Sequence, residues 1–240
     1  MPTKFSTGEQ VWVPSTRLSG NHPYALVTRE VLGQRKRSVV VNDCDGVSVA
    51  VSSRLVHPKT LGFLVLRLGD FETETTLLDP LAKSVLQYLR LLIPDDAVVS
   101  LHARTRDEIG EFLRRSGSGI SHVILVGHGR ADALKMFNGG WLAVRDFADL
   151  LGAHGAPKTV VSLACSTGMT TFGRTLSKNA ACKELVAPAA ETHGASASLY
   201  VQALLHTHLL HGHEFMTAAR LANEVTEGSR FVHWRDGKKR

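Results

Sequence analysis

SHVILVGHGR over residues 121 to 130 and KTVVSLACSTG over residues 158 to 168 decide how this chain reads. In each, an apolar run ends in a polar, chemically active residue. Val123-Ile124-Leu125-Val126 leads into Gly127-His128-Gly129, and Val160-Val161-Ser162-Leu163-Ala164 leads into Cys165. Continuous apolar runs of this length suit strands buried on both faces of a parallel sheet. As neighbours in one such sheet they deliver His128 and Cys165 side by side to its carboxyl edge, where open α/β sheets place their sites. A thiol and an imidazole then share one crevice.

Working outward, strands and helices alternate from Leu61 onward. Phe63 to Leu68 is a further buried strand, and apolar residues at 77, 78, 81, 85, 86, 89 and 92 follow helical spacing up to Pro94, which closes the helix. Ala97 to His102 reads as a strand, and Thr105 with Glu108 three positions later opens a helix as a capping box. Between the two reactive ends, Leu134 to Phe137, the turn Asn138-Gly139-Gly140 and Trp141-Leu142 form a hairpin, followed by a short helix over Val144 to Leu151. Beyond Cys165 come a helix near Phe172 to Ala180, a strand at Glu184 to Ala187, helices over Ser196 to Leu210 and Glu214 to Glu224, and a last strand at Phe231 to Trp234. This order predicts a three-layer α/β sandwich with a mostly parallel sheet.

Residues 6 to 58 have a different texture. Short β-branched runs at Glu9 to Pro14, Tyr24 to Val31, Ser38 to Val41 and Val47 to Val51 are separated by Gly, Asn, Asp and Ser turns, which describes a small all-β unit. Its G-x-x-V-W-V opening at Gly8 to Val13, its Ala25-Leu26-Val27 strand and its closing VSSRLVHP at Val51 to Pro58 resemble an SH3-like barrel. That resemblance implies a docking domain over residues 1–58, a linker near His57 to Thr60, and a catalytic domain over residues 61–240.

Composition narrows the classes. No run approaches the about 18 to 20 apolar residues of a membrane helix, and MPTKFSTGEQ at the start has no apolar signal region, so a soluble, cytoplasmic protein with no membrane partner is expected. Three cysteines, Cys44, Cys165 and Cys182, contain no CxxC pair and indicate neither a disulfide framework nor a cysteine zinc site. The formal charge is +6 with a pI near 9.4. The basic clusters at Gln34 to Arg37 and Arg235 to Arg240 lack aromatic stacking partners, so they read as a solvated turn and a frayed tail, and nucleic acid enters only indirectly through a partner. His206, His208, His211 and His213 crowd one helix end without a carboxylate at ligand spacing, so no metal or cofactor is expected there. Cys44 and Cys182 read as structural.

Cysteine attacks as a thiolate, and a nearby imidazole supplies that state or accepts the proton. Ser166-Thr167-Gly168 after Cys165 turns the backbone sharply, so the Cys165 N–H can serve as an oxyanion donor; Gly129 has no side chain to block a second N–H. Spacing excludes two other chemistries. A thiol phosphatase loop needs arginine where Thr171 stands, and an amidotransferase or hydrolase elbow needs glycines where Leu163 and Thr167 stand. On spacing alone, Cys165 as a small buried residue and His128 as a strand-end histidine remain an alternative.

An apolar strand ending in His-Gly, followed later by an apolar strand ending in Ala-Cys, resembles the caspase-like cysteine peptidases, which include caspases, separases, gingipains and CHAT proteases. Ala164-Cys165-Ser166-Thr167-Gly168 is similar to the A-C-x-T-G of CHAT proteins in particular, and Phe215 to Arg220 is similar to their A-x-x-x-A-R-type ending. The resemblance implies a His128–Cys165 dyad cleaving protein substrates, with oxyanion donors at Gly129 and Cys165. It also implies an S1 pocket lined by the loop Pro188 to Gly194, whose one carboxylate is Glu191, with Asp70 and Glu72 as further candidates. An acidic pocket predicts Arg or Lys at P1. No acidic linker lies between His128 and Cys165, so control by an activating or sensor subunit, as in bacterial antiviral defence effectors, is expected in place of self-processing. The alternative is an inactive caspase-like scaffold.

Overall fold

The computed structural model describes residues 4–153, 155–226 and 230–240. Five strands come first: β1 (Gln10–Pro14), β2 (Leu26–Gln34), β3 (Ser38–Asn42), β4 (Ser48–Ser52) and β5 (His57–Pro58). They form one antiparallel sheet in the order β4-β3-β2-β1-β5. Strand alternation explains how this sheet serves two cores. Val11 and Val13 face a small cluster with Val31, Val39, Val41 and Val51, whereas Trp12 between them joins the core of the larger α/β unit. His57 and Pro58, where the closing VSSRLVHP segment and the expected linker overlap, pair with β1 in this sheet.

The α/β unit follows as β6 (Phe63–Arg67), α1 (Phe71–Thr73), α2 (Asp79–Leu92), β7 (Val98–His102), α3 (Arg106–Ser116), β8 (His122–Val126), β9 (Ala133–Lys135), β10 (Trp141–Ala143), α4 (Val144–Gly152), β11 (Lys158–Ser162), α5 (Thr170–Lys178), β12 (Cys182–Pro188), α6 (Gly194–Leu205), α7 (Phe215–Val225), β13 (Phe231–Arg235) and β14 (Lys238–Lys239). A seven-stranded sheet in the order β14-β13-β12-β11-β8-β6-β7 runs through it. Strands β7, β6, β8, β11 and β12 are mutually parallel, and β13 and β14 continue the sheet antiparallel. Alternate side chains go to opposite faces. Phe63, Val65, Ile124, Val126 and Val161 meet α2, α6 and α7, while Leu64, Leu66, Val123, Leu125 and Val160 meet α3, α4 and α5. The expected sandwich with a mostly parallel sheet is what the chain forms.

Three local expectations change. The helix expected from Leu77 starts as a turn at Phe71–Thr73 and a π-helical turn at Glu74–Leu78 before α2. The helix expected to reach Leu210 passes at His206 into a π-helical turn over His206–Leu210. The basic tail is not frayed: β14 pairs with β13, Arg240 N–H donates to the His233 carbonyl at 2.9 Å, and Gly237 N–H donates to Ser177 Oγ at 3.1 Å. Backbone pairing overrides the charge of the side chains there, which point outward. The capping box at Thr105 and Glu108 forms as read, satisfying helix-end donors from both sides.

Candidate active site

Strands β8 and β11 position the two reactive residues. Ser162 pairs with Leu125, and Leu163 N–H donates to the Leu125 carbonyl at 2.8 Å, so His128 and Cys165 each stand three residues beyond a matched pair. The loops that carry them touch. A Cβ on Gly129 would lie 2.7 Å from Thr167 Cγ2 and 2.8 Å from the Cys165 carbonyl oxygen, a spacing that only glycine permits. Thus the glycine after the histidine is the space into which the cysteine loop fits.

The turn at Cys165 is tied down by its own side chains. Thr167 Oγ1 donates to the Ala164 carbonyl at 2.7 Å, Ala164 N–H donates to Ser162 Oγ at 3.2 Å, and the two hydroxyls lie 2.7 Å apart. Ser166 has φ of 61°, left-handed backbone that costs a non-glycine residue on the order of 1 kcal/mol and recurs at functional turns. Gly168 closes the turn: a Cβ there would meet the Ala187 carbonyl at 2.4 Å, and Trp234 Nε1 donates to the Gly168 carbonyl at 2.9 Å. Cys165 is left half-buried, with the Thr192 N–H aimed at its sulfur at 3.4 Å. Among the described residues, neither the Cys165 N–H nor the Gly129 N–H donates to another acceptor.

His128 is held from behind. Its Nε2 lies 2.5 Å from Thr73 Oγ1, and the Thr73 hydroxyl donates to Asp70 Oδ1 at 2.7 Å. Because that proton points at Asp70, the Thr73 oxygen accepts from His128 Nε2–H, and Nδ1 becomes the bare nitrogen. Asp70 is fixed in turn by Lys135 Nζ at 2.5 Å and by the Thr73 N–H at 3.1 Å, where it caps α1. Those partners, Lys135 foremost and Thr73 next, hold the Asp70 carboxyl well below the usual carboxylate range. Lys135 also sends its backbone N–H to the His128 carbonyl at 2.9 Å, so the β9–β10 hairpin braces the histidine twice.

The structure therefore brings together His128, Cys165, Gly129 and Asp70. Glu191 is exposed in the loop next to Thr192, and among the described residues its carboxylate makes no ion pair. Glu72 is exposed beside Asp70. Two contributors were not singled out from sequence: Thr73, three residues past its capping aspartate, and the Thr192 N–H. The D-x-x-T spacing from Asp70 to Thr73 is the helix-start signal that marks the first. Of the other cysteines, Cys182 is buried and its thiol is pushed up to about 12 by that burial. Cys44 is exposed, with Arg29 Nη2 at 3.0 Å from its sulfur, so it fills no core. In the histidine cluster, His206 and His211 face each other at 3.1 Å between Nε2 atoms, while His208 Nδ1 donates to the His213 carbonyl at 2.7 Å.

No family model matches this chain, and no curated protein matches its sequence. Its fold does match solved structures. One is a secreted C11 cysteine protease from Bacteroides thetaiotaomicron in complex with an irreversible peptide inhibitor, with TM-score 0.56 and 9% identity over 73% of this chain and 66% of that one. Another is an inactive zymogen C11 protease from Parabacteroides distasonis, with TM-score 0.53 and 8% identity over 73% of this chain and 61% of that one. The chain thus spans less than two thirds of the length of either neighbour. At the level of fold, the chain has the caspase-like α/β architecture of these C11 cysteine proteases.

Proposed function

We propose that this chain is a cysteine endopeptidase in which Cys165 is the nucleophile and His128 the proton carrier. The observation that supports it most is the matched register of β8 and β11, which sets both residues at one strand edge beside two uncommitted backbone N–H groups. In the reaction, Cys165 Sγ attacks the scissile carbonyl carbon and the Cys165 and Gly129 N–H groups receive the oxyanion. The C–N bond breaks as His128 gives a proton to the leaving amine. Water then adds to the thioester, its proton passing to His128, and Cys165 is released. Thr73, itself held by Asp70, occupies Nε2, so Nδ1 is the nitrogen that exchanges protons with substrate. Thr73 and Asp70 are positioning residues in this scheme.

Asp70 is committed to Lys135 and Thr73, and Glu191 is the acid adjoining the Thr192 contact to sulfur. We assign Glu191 to the S1 pocket and Arg or Lys to P1. We assign the N-terminal five-stranded sheet a docking role for an activating subunit, in keeping with a cytoplasmic defence effector. The test is a peptide library with Arg, Lys, Asp and Leu at P1. Cleavage confined to basic P1, lost in Cys165→Ala and redirected in Glu191→Ala, is expected; an unchanged P1 preference in Glu191→Ala overturns the pocket assignment.

A further inference from the structure

A large crevice lies at the opposite edge of the central sheet from Cys165. It occupies about 1370 Å³ between the end of the N-terminal sheet, the starting ends of β8, β11 and β12, the bend before α7, and the C-terminal hairpin. This is larger than the roughly 300–1,000 Å³ of ordinary small-molecule sites. Its rim carries Arg37, Arg54, Lys183 and Arg240, all exposed, and among the described residues none of these four takes part in an ion pair. Of the carboxylates on the same lining, Glu184 is bound to His233 at 3.0 Å and Asp236 to Arg235 at 3.7 Å, leaving Glu214.

Two polar atoms in the crevice wall are buried and unpartnered. Ser53 is 5% exposed and His233 is 6% exposed, and neither Ser53 Oγ nor His233 Nδ1 has a hydrogen-bond partner among the described residues. Buried polar atoms are normally paired, and these two lack a protein partner in the same wall. Ser53 Oγ can donate to an oxyanion or accept from a hydroxyl, and an imidazole nitrogen can do either according to its protonation. His57 and His122 line the same wall, both part or fully buried, and His57 already spends its Nε2 on the Leu209 carbonyl at 2.9 Å.

We infer that this crevice is a binding site for a small, multiply charged phosphate compound of nucleotide size, seated across the seam between the N-terminal sheet and the α/β unit. Four unpaired cations supply the charge match for phosphates, and Ser53 with His233 supply the inner contacts. The site lies away from the reactive cysteine, so its occupancy can be read without any assay of peptide cleavage.

Binding of ATP and of inorganic tripolyphosphate to the full chain, followed by titration calorimetry and thermal melting without divalent cations, tests this. Saturable binding with a dissociation constant in the micromolar range and a raised melting temperature is expected for at least one probe. The exposed double variant Arg54→Ala/Lys183→Ala should bind at least about tenfold more weakly, while Arg145→Ala, an exposed arginine elsewhere, keeps the parent affinity. Tighter binding of ATP shows that a nucleoside is read; equal binding shows that the phosphates alone are read. No saturable binding of either probe at millimolar concentration, or equal loss in Arg145→Ala and the double variant, overturns the proposal.

Discussion

In the proposed mechanism Thr73 decides which nitrogen of His128 carries the proton. Its hydroxyl stands between His128 Nε2 and Asp70 Oδ1, fixing both the ring's orientation and its tautomer. Thr73→Val keeps the shape and removes that oxygen, so kcat should fall by roughly tenfold or more while KM and the urea midpoint stay near the parent values, with Thr73→Ser restoring most of the rate. If Thr73 served only packing, Thr73→Ser would cost as much as Thr73→Val. At this scale the sequence was partly legible. The placement of His128 and Cys165 at one sheet edge was readable because each follows an apolar run, and the close approach at Gly129 because it is a glycine next to one of them. The sequence marks Thr73 only as part of a helix start and the Thr192 N–H not at all, since they reach the site from loops whose approach depends on how α1 and the segment after β12 fold back over the sheet edge.

The element that most limits variation is the turn from β11 into α5. Its shape depends on Gly168, where a Cβ would meet the Ala187 carbonyl at 2.4 Å and the Pro188 carbonyl at 2.8 Å, both backbone atoms of β12 that cannot swing away. Gly168→Ala should therefore lower stability by about 1–3 kcal/mol, seen as a reduced urea midpoint with an unchanged slope, and should lower the rate of Cys165 alkylation as the turn shifts. An unchanged midpoint would show that the turn has more room than the backbone leaves. The strands and helices themselves were legible because their periodicities are clean: apolar runs buried on two faces for β6, β8 and β11, and a capping box for α3. What escaped were features with no periodic signal. The π-helical turns at Glu74–Leu78 and His206–Leu210 continue a helical apolar pattern while changing its pitch. The β13–β14 pairing hides beneath a basic tail whose side chains say nothing about backbone partners.

Over the whole molecule, stability is tied to histidines buried along the seam between the N-terminal sheet and the α/β unit. Burial lowers the His57 imidazole to about 4, and lowers His122 and His208 in the same direction. The unfolded chain titrates these groups near about 6.5, so below that pH it binds protons that the folded chain refuses. Stability is then complete above about pH 6.5 and declines as pH falls toward about 4, where His57 protonates in the folded state too. His57→Gln, which can still donate to the Leu209 carbonyl, should flatten part of that decline in urea titrations at pH 7, 6, 5 and 4.5; an unaltered slope would place the acid sensitivity elsewhere. At the opposite edge of the sheet, β8 and β11 bring the loops of His128 and Cys165 together, and the proposed chemistry pairs their side chains. The most direct test of that pairing is mass-spectrometric labelling by a peptidyl acyloxymethyl ketone with arginine at P1. The account predicts one adduct on Cys165, absent in Cys165→Ala and slowed at least about tenfold in His128→Ala, with Cys44 and Cys182 unmodified. Equal labelling of Cys165 in the His128→Ala protein, or modification of Cys44 in preference to Cys165, would contradict it.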